Sequence, residues 1–295
     1  FPLWIDPESI EPSMDLELLS KDIVTISFHG SPGQIAYVEL FPGGEMIKCS
    51  RKDLEGHCQY RAEIHLSELD KNREYQFLLN LETEVDTVEN RIYKIPMENT
   101  ITVRNLDDYP VVRINDENTR LTYNLGPIRL GGPIRSELGP GVMMRVNGRM
   151  GDHYMIRLNE IESSMVRQDQ VDVLPLETLP PSYFITNISC GPGVGEDIVS
   201  IPYQEPVPYA IQAQPDLNRI VITLFGVKTS STWISHRRGR KIVDKVTWQQ
   251  TDPETYQVYV NLKTEKIWGY DLQPDGRQLV LRIKSAPQYD LNDDK

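Results

Sequence analysis

An all-β chain built from several small modules is predicted by three observations. Apolar and polar residues alternate with period two in short runs, Gly, Pro, Asn and Asp separate those runs, and helical periodicity is nearly absent. At 295 residues the chain is long for one small β domain and suits two or three modules, each with its own core.

The first module is expected over residues 1–105. Tyr60, Ala62, Ile64 and Leu66 face a core while Gln59, Arg61, Glu63 and His65 face water; Tyr75, Phe77, Leu79 and Leu81 repeat the pattern. Further strands at 23–28, 35–41 and 91–95, with a turn at Pro42-Gly43-Gly44, give about five to seven strands, the count of an immunoglobulin-like β-sandwich. The Cys-Trp-Cys pattern of antibody domains is absent.

Residues 106–176 change character. Gly126, Gly131, Gly132, Gly139, Gly141, Gly148 and Gly151 mark tight turns and bulges. Strands at 142–147 and 153–158 flank a hairpin turn at Gly148-Arg149-Met150-Gly151-Asp152, and a small, strongly bent barrel is expected.

The prolines of Leu174-Pro175-Leu176-Glu177-Thr178-Leu179-Pro180-Pro181 deny donors to a sheet, so this stretch reads as a linker. A third module, a β-sandwich or open barrel, is expected over 177–287 from strands at 219–225, 241–248, 256–262 and 278–284. Turns fall at Thr251-Asp252-Pro253-Glu254 and Gln273-Pro274-Asp275-Gly276. Tyr256, Val258, Val260 and Leu262 alternate there with Gln257, Tyr259 and Asn261. The polar tail 288–295 reads as a linker to something beyond it.

Charge and composition narrow the function classes. A formal net charge of −12 repels polyanions, so no nucleic-acid partner is expected. No apolar run approaches the roughly 18 residues of a spanning helix, so no transmembrane segment is expected. The start, Phe1-Pro2-Leu3-Trp4, lacks an initiator Met and a signal-like apolar block and reads as processed or trimmed. Cys49 and Cys58 form either a disulfide between neighbouring strands or two free thiols, with Cys190 odd.

No chemistry is legible. A zinc hydrolase needs two or three converging ligands and a carboxylate base, but His29, His57, His65, His153 and His236 are scattered and form no His-x-x-His pattern. His29-Gly30 lacks the flanking residues of an amidase zinc loop, so a surface or strand-end histidine is the expectation. There is no Gly-x-Ser-x-Gly, and Cys190 before Gly191-Pro192-Gly193 has no histidine nearby in sequence, so a structural thiol is expected. Gly191 to Gly195 lacks the following helix of a phosphate cradle and reads as a loop. Asp107 and Asp108, adjacent on an extended chain, point to opposite faces and cannot flank one glycosidic bond. Accordingly no catalytic residue, no metal ligand and no cofactor is assigned to this chain.

Two features carry binding potential. His236-Arg237-Arg238-Gly239-Arg240-Lys241 concentrates cations in an acidic protein; it is either a solvated hairpin tip or a guanidinium cluster in which Arg237, Arg238 and Arg240 hold carboxylates. Among Trp233, Trp248, Tyr256, Tyr259, Trp268 and Tyr270, core packing accounts for most, while Tyr259 lies on the polar side of its strand, where a ring could stack on a sugar.

The segments Asn218-Arg219-Ile220-Val221-Ile222-Thr223-Leu224-Phe225-Gly226-Val227-Lys228, Tyr256-Gln257-Val258-Tyr259-Val260-Asn261-Leu262-Lys263 and Gly276-Arg277-Gln278-Leu279-Val280-Leu281-Arg282-Ile283 resemble the AMIN domain of exported N-acetylmuramoyl-L-alanine amidases. Leu130-Gly131-Gly132-Pro133-Ile134, Leu138-Gly139-Pro140-Gly141-Val142 and Gly151-Asp152-His153-Tyr154-Met155-Ile156-Arg157-Leu158 resemble a bacterial SH3-like domain of the kind found beside cell-wall hydrolases. The resemblance implies an exported, periplasmic or cell-envelope protein whose partners are peptidoglycan or another cell-wall glycan and a C-terminal zinc amidase domain beyond residue 295. It implies targeting rather than catalysis by this chain. A surface glycan-binding or adhesin-like protein without an enzyme is the alternative, and regulation of the catalytic domain a third.

Overall fold

The computed structural model describes residues 2–83, 91–123, 133–229 and 232–286. Among these the regular elements are β-strands and short 3-10 turns, with no α-helix, so the all-β expectation holds. None is a helix long and apolar enough to cross a membrane. The glycines Gly126, Gly131 and Gly132, with Leu130, and the expected linker 288–295 lie outside the described residues. Two compact units form: residues 1–109 with 146–155, and residues 110–145 with 156–295.

The first unit carries β1 (Ile5–Glu11), β2 (Leu16–Leu19), β3 (Ile23–Gly30), β4 (Gln34–Phe41), β5 (Met46–Lys48), β6 (Ser50–Leu54), β7 (His57–His65), β8 (Arg73–Thr83), β9 (Ile92–Pro96) and β10 (Ile101–Arg104). One sheet runs β1-β3-β7-β6; in the other, β2, β10, β8, β4 and β5 are neighbours in that order and β9 pairs with β8. The alternation of β3, β7 and β8 is the reason: Ile26, Phe28, Tyr60, Ile64, Phe77, Leu79 and Leu81 are buried in one core, and their intervening neighbours lie on the opposite face, where Asn80 is also buried.

Register settles the cysteine alternatives. Ser50 pairs with Arg61 and Asp53 with Cys58, which places Cys49 about four ladder positions from Cys58, roughly 13 Å along the strand and beyond the span of a disulfide. Cys49, Cys58 and Cys190 are all free and buried, and burial pushes the Cys49 thiol up to about 12.

In the second unit the strands are β11 (Val111–Ile114), β12 (Thr119–Thr122), β13 (Ile134–Leu138), β14 (Met143–Met150), β15 (His153–Arg157), β16 (Ser163–Arg167) and β17 (Val171–Val173). They continue as β18 (Tyr183–Phe184), β19 (Asn187–Pro192), β20 (Glu196–Pro202), β21 (Tyr209–Gln214), β22 (Arg219–Phe225), β23 (Val227–Lys228), β24 (Trp233–His236), β25 (Val243–Asp252), β26 (Thr255–Leu262), β27 (Tyr270–Pro274) and β28 (Gln278–Lys284). β14 and β15 each straddle the division, residues 146–155 belonging to the first unit.

Around residues 106–176, β11 pairs with β17 and with the start of β14, while β12 lies between β13 and β16. No sheet closes into a barrel among the described residues. The cause is visible in β14, whose last residues leave the segment: Arg149 and Met150 pair with Glu17 and Leu16, and Glu17 takes ion pairs from Arg104 at 2.6 Å and Arg149 at 2.7 Å. That end of β14 is therefore paired outside residues 106–176 and adds nothing to a closure within them. The turn after it is also tighter than expected: β14 runs to Met150, and Gly151, at φ 55°, opens the bend that glycine tolerates best.

Beyond residues 174–182, which form no strand, a two-stranded parallel pair, β18-β23, and two larger sheets follow. One has the order β24-β19-β20-β28-β27 and the other β21-β22-β26-β25. Ile188, Cys190, Val199, Ile201, Leu281 and Ile283 are buried on the first, and Ile220, Ile222, Leu224, Tyr256, Val258 and Val260 on the second. Gly191 and Pro192, expected in a loop, complete β19 by pairing with Ile198 and Asp197.

Candidate functional site

The outward face of the sheet β21-β22-β26-β25 is the place to look, because strand alternation there sets polar residues in register. Ala210, Thr223, Gln257 and Gln249 form one cross-strand row; Gln212, Val221, Tyr259 and Thr247 form the next; Gln214, Arg219, Asn261 and Lys245 form a third. Apart from Ala210 and the buried Val221, amides, hydroxyls and cations therefore line one face, whose opposite side is core.

At the Gln257 end lies a groove of about 360 Å³. Arg135, on β13, has a side chain only 9% exposed and is ion-paired with Glu162. Its guanidinium stacks 4.1 Å from the ring centroid of Tyr123 and 5.7 Å from that of Phe225. Tyr123 itself stays 51% exposed. Arg135 thus braces an exposed aromatic ring at the groove, a cation–π contact strengthened by burial. The groove wall is held in turn by Asn159, which donates to Thr255 Oγ1 at 2.9 Å, and by Arg157, which donates to Glu254 at 3.0 Å.

Tyr259 points outward, as its alternation indicated, but its surroundings were not legible. The Arg219 guanidinium lies 4.8 Å from its ring centroid, and its hydroxyl donates to Gln257 Oε1 at 2.6 Å. Arg219 covers a ring face, so Tyr259 presents its edge and hydroxyl. Core packing does not account for most of the aromatic set as expected: Tyr256 is buried, but Trp233, Trp268 and Tyr270 are exposed. Trp233 and Tyr270 open the edge strands β24 and β27, and Trp268 lies just before β27. Tyr123 is the exposed ring at the groove.

The cationic tip lies at the other end of β26. From Gln257 to Lys263 is about 20 Å of extended strand, and Lys263 Nζ donates to the Arg240 carbonyl at 2.8 Å. Arg240 donates to the backbone carbonyls of Arg237, Val243 and Asp244, so its guanidinium fastens the tip together. Arg237 lies across Gly191, where a Cβ would meet its Cδ at 3.2 Å; Arg237 and Arg238 are exposed. Beneath them Asp197, 1% exposed, accepts the N–H groups of Lys241 at 3.2 Å, Ile242 at 2.8 Å and Val243 at 2.8 Å.

His236 belongs to the same scaffold. Its Nε2 accepts the N–H of Val246 at 2.9 Å, which requires neutral imidazole, and burial followed by the charges of Arg240 and Lys245 lowers its pKa from 6.5. The unfolded chain takes up this proton near 6.5 while the folded chain resists it, so the contribution is intact above 6.5 and is lost as pH falls below it. We expect the His236 imidazole to titrate below 6.5 by NMR, and His236→Gln to flatten the fall in unfolding midpoint just below that pH. A normal titration would remove the proposed hydrogen bond.

The remaining sequence candidates fall apart spatially. Cys190 is buried on β19, and burial pushes its thiol up to about 11, which disfavours a thiolate. Asp107 and Asp108 sit in a 3-10 turn. Pairing of β3 with β7 brings the rings of His29 and His57 to 4.9 Å, yet among the described residues no three His, Cys, Asp or Glu side chains gather around a common metal position.

Neither protein-family models nor curated proteins gave any match to this sequence.

Proposed function

We propose that this chain is the non-catalytic targeting region of an exported N-acetylmuramoyl-L-alanine amidase, holding a separate zinc hydrolase domain on peptidoglycan in the cell envelope. In this reading residues 1–105 form an immunoglobulin-like sandwich, 106–176 an SH3-like module and 177–287 an AMIN-like sandwich. The SH3-like assignment is supported by strand order: β11 pairs with both β14 and β17, and a 3-10 turn at Gln168–Gln170 precedes β17. The AMIN-like assignment is supported by two facing-out, core-backed sheets from residues that resemble that family.

The observation that carries the binding role is the Tyr123 ring, exposed and braced by Arg135, at the head of a strand face bearing Gln257 and Tyr259. A sugar ring packs its apolar face on an aromatic, and its hydroxyl and acetamido groups exchange hydrogen bonds with amides and phenols. Arg237 and Arg238 at the far end add carboxylate contacts, and Arg240 keeps them in place. Several weak sites along one track raise residence on a polymer without any one being strong.

Sedimentation of the full chain with purified sacculi tests this. Retention at low salt is expected, with Tyr123→Ala combined with Gln257→Ala lowering it about tenfold. Arg237→Ala with Arg238→Ala is expected to lower it only about two- to threefold, as solvated ion pairs do. A folded chain that is not retained contradicts the reading.

A further inference from the structure

A second recess in the same unit shares no residue with the Tyr123–Tyr259 track and has opposite chemistry. It is a cleft of about 440 Å³ lined by, among others, Glu117, Glu137, Asp271 of β27, Tyr203 and Tyr209. Among the described residues no lysine or arginine lines it. Arg120 reaches Glu137 at 3.0 Å from outside, but both side chains are more than half exposed, and such a pair is weak.

Two independent features mark the cleft as more than a group of acids. Tyr203 and Tyr209 are 9% and 7% exposed and line the cleft, and among the described residues neither hydroxyl has a hydrogen-bond partner, so both are open to a ligand or to water. Burial, then Tyr203, Asp271 and Glu137, push the Tyr209 hydroxyl up to about 12. The other feature is β27, the edge of its sheet. Lys284 N–H bonds to the Gly269 carbonyl and Asp275 N–H to the Gln278 carbonyl, and the antiparallel alternation between them turns the N–H and C=O of Tyr270 and Leu272 away from β28. An unprotected edge of this kind is a template for another strand.

We propose that the cleft binds a basic, extended polypeptide segment, which adds to β27 as a strand and sets a lysine or arginine side chain among Tyr203, Tyr209, Glu137 and Asp271. Main-chain hydrogen bonds to Tyr270 and Leu272 supply affinity that is indifferent to sequence, and the acidic, phenol-floored cleft selects the cationic side chain. A chain of net charge −12 also steers a cationic partner towards it.

The test uses the full chain and a labelled, end-blocked peptide of sequence Thr-Lys-Val-Lys-Val-Lys-Thr, followed by fluorescence anisotropy at low salt. Saturable binding is expected, weakened about tenfold by Asp271→Asn with Glu137→Gln and about threefold by Tyr209→Phe. The Leu272 amide should gain protection from hydrogen exchange in the complex. A peptide with Glu at every Lys position should not bind. Equal binding of the two peptides, unchanged affinity in the double variant, or an unprotected Leu272 amide overturns the proposal. Sacculus retention of the double variant should match the parent chain, so failure here is separable from failure of the cell-wall reading.

Discussion

Asp197→Ala is expected to destabilise the second unit by about 3–5 kcal/mol, because it removes a buried anion on which three backbone donors depend. Asp197 is 1% exposed, and the N–H groups of Lys241, Ile242 and Val243 converge on its carboxylate. Without it those amides stay buried or the start of β25 unravels to reach water, and each route is costly. Asp197→Asn keeps one acceptor oxygen and should cost about half as much. Urea unfolding followed by tryptophan fluorescence measures both. A loss below about 1 kcal/mol in Asp197→Ala would mean that water replaces the carboxylate freely, and that Asp197 is not what holds the start of β25.

The second large effect is expected in the first unit. Phe77 is 1% exposed at the centre of a core that includes Phe28, Tyr60, Leu79 and Leu81, on a strand paired with β4 and β10. Phe77→Ala leaves a cavity that strands in register on both sides cannot collapse into, a cost of about 3–5 kcal/mol. Amides of β3, β7 and β8 that exchange only through global opening should then exchange more than about a hundredfold faster. Phe41→Ala, at a residue 42% exposed, should change those rates by less than about tenfold. Similar effects for the two variants would contradict the assignment of the core.

What was legible in the sequence follows from what local periodicity encodes. β3, β7 and β26 announce themselves because each has one face in a core and one in water, so that Phe28, Tyr60 or Val258 is flanked by residues that meet water; β8 and β28 show the alternation less cleanly, with Asn80 and Val280 buried on the other face. β2, β11 and β12 do not, since four residues carry too little alternation to register. Nor does pairing between distant segments leave a local trace: β10 runs parallel to β2 across more than 80 residues of sequence, and the end of β14 finds the same strand.

The site divides in the same way. Alternation turned Tyr259 outward correctly, but Arg219 covers its ring only because Val221 pairs with Tyr259 and sets Arg219 at the diagonal. A run of cations shows charge, not use, and nothing in it distinguishes Arg240, fastened to carbonyls, from Arg237 and Arg238. Tyr123 directly follows β12 and Arg135 lies on β13, and the signal joining them was weak: an aromatic just after Thr119–Thr122 and an arginine within Ile134–Leu138.

The most direct test of the central claim is a chemical-shift map of the full chain titrated with soluble, uncrosslinked glycan–peptide fragments. The amides of Tyr123, Gln212, Gln257 and Tyr259 should shift together along one saturable curve, with smaller changes at Arg237 and Arg238 and with the fragments recovered intact. Shifts confined to other faces, or fragments returned with stem peptides released, would contradict it.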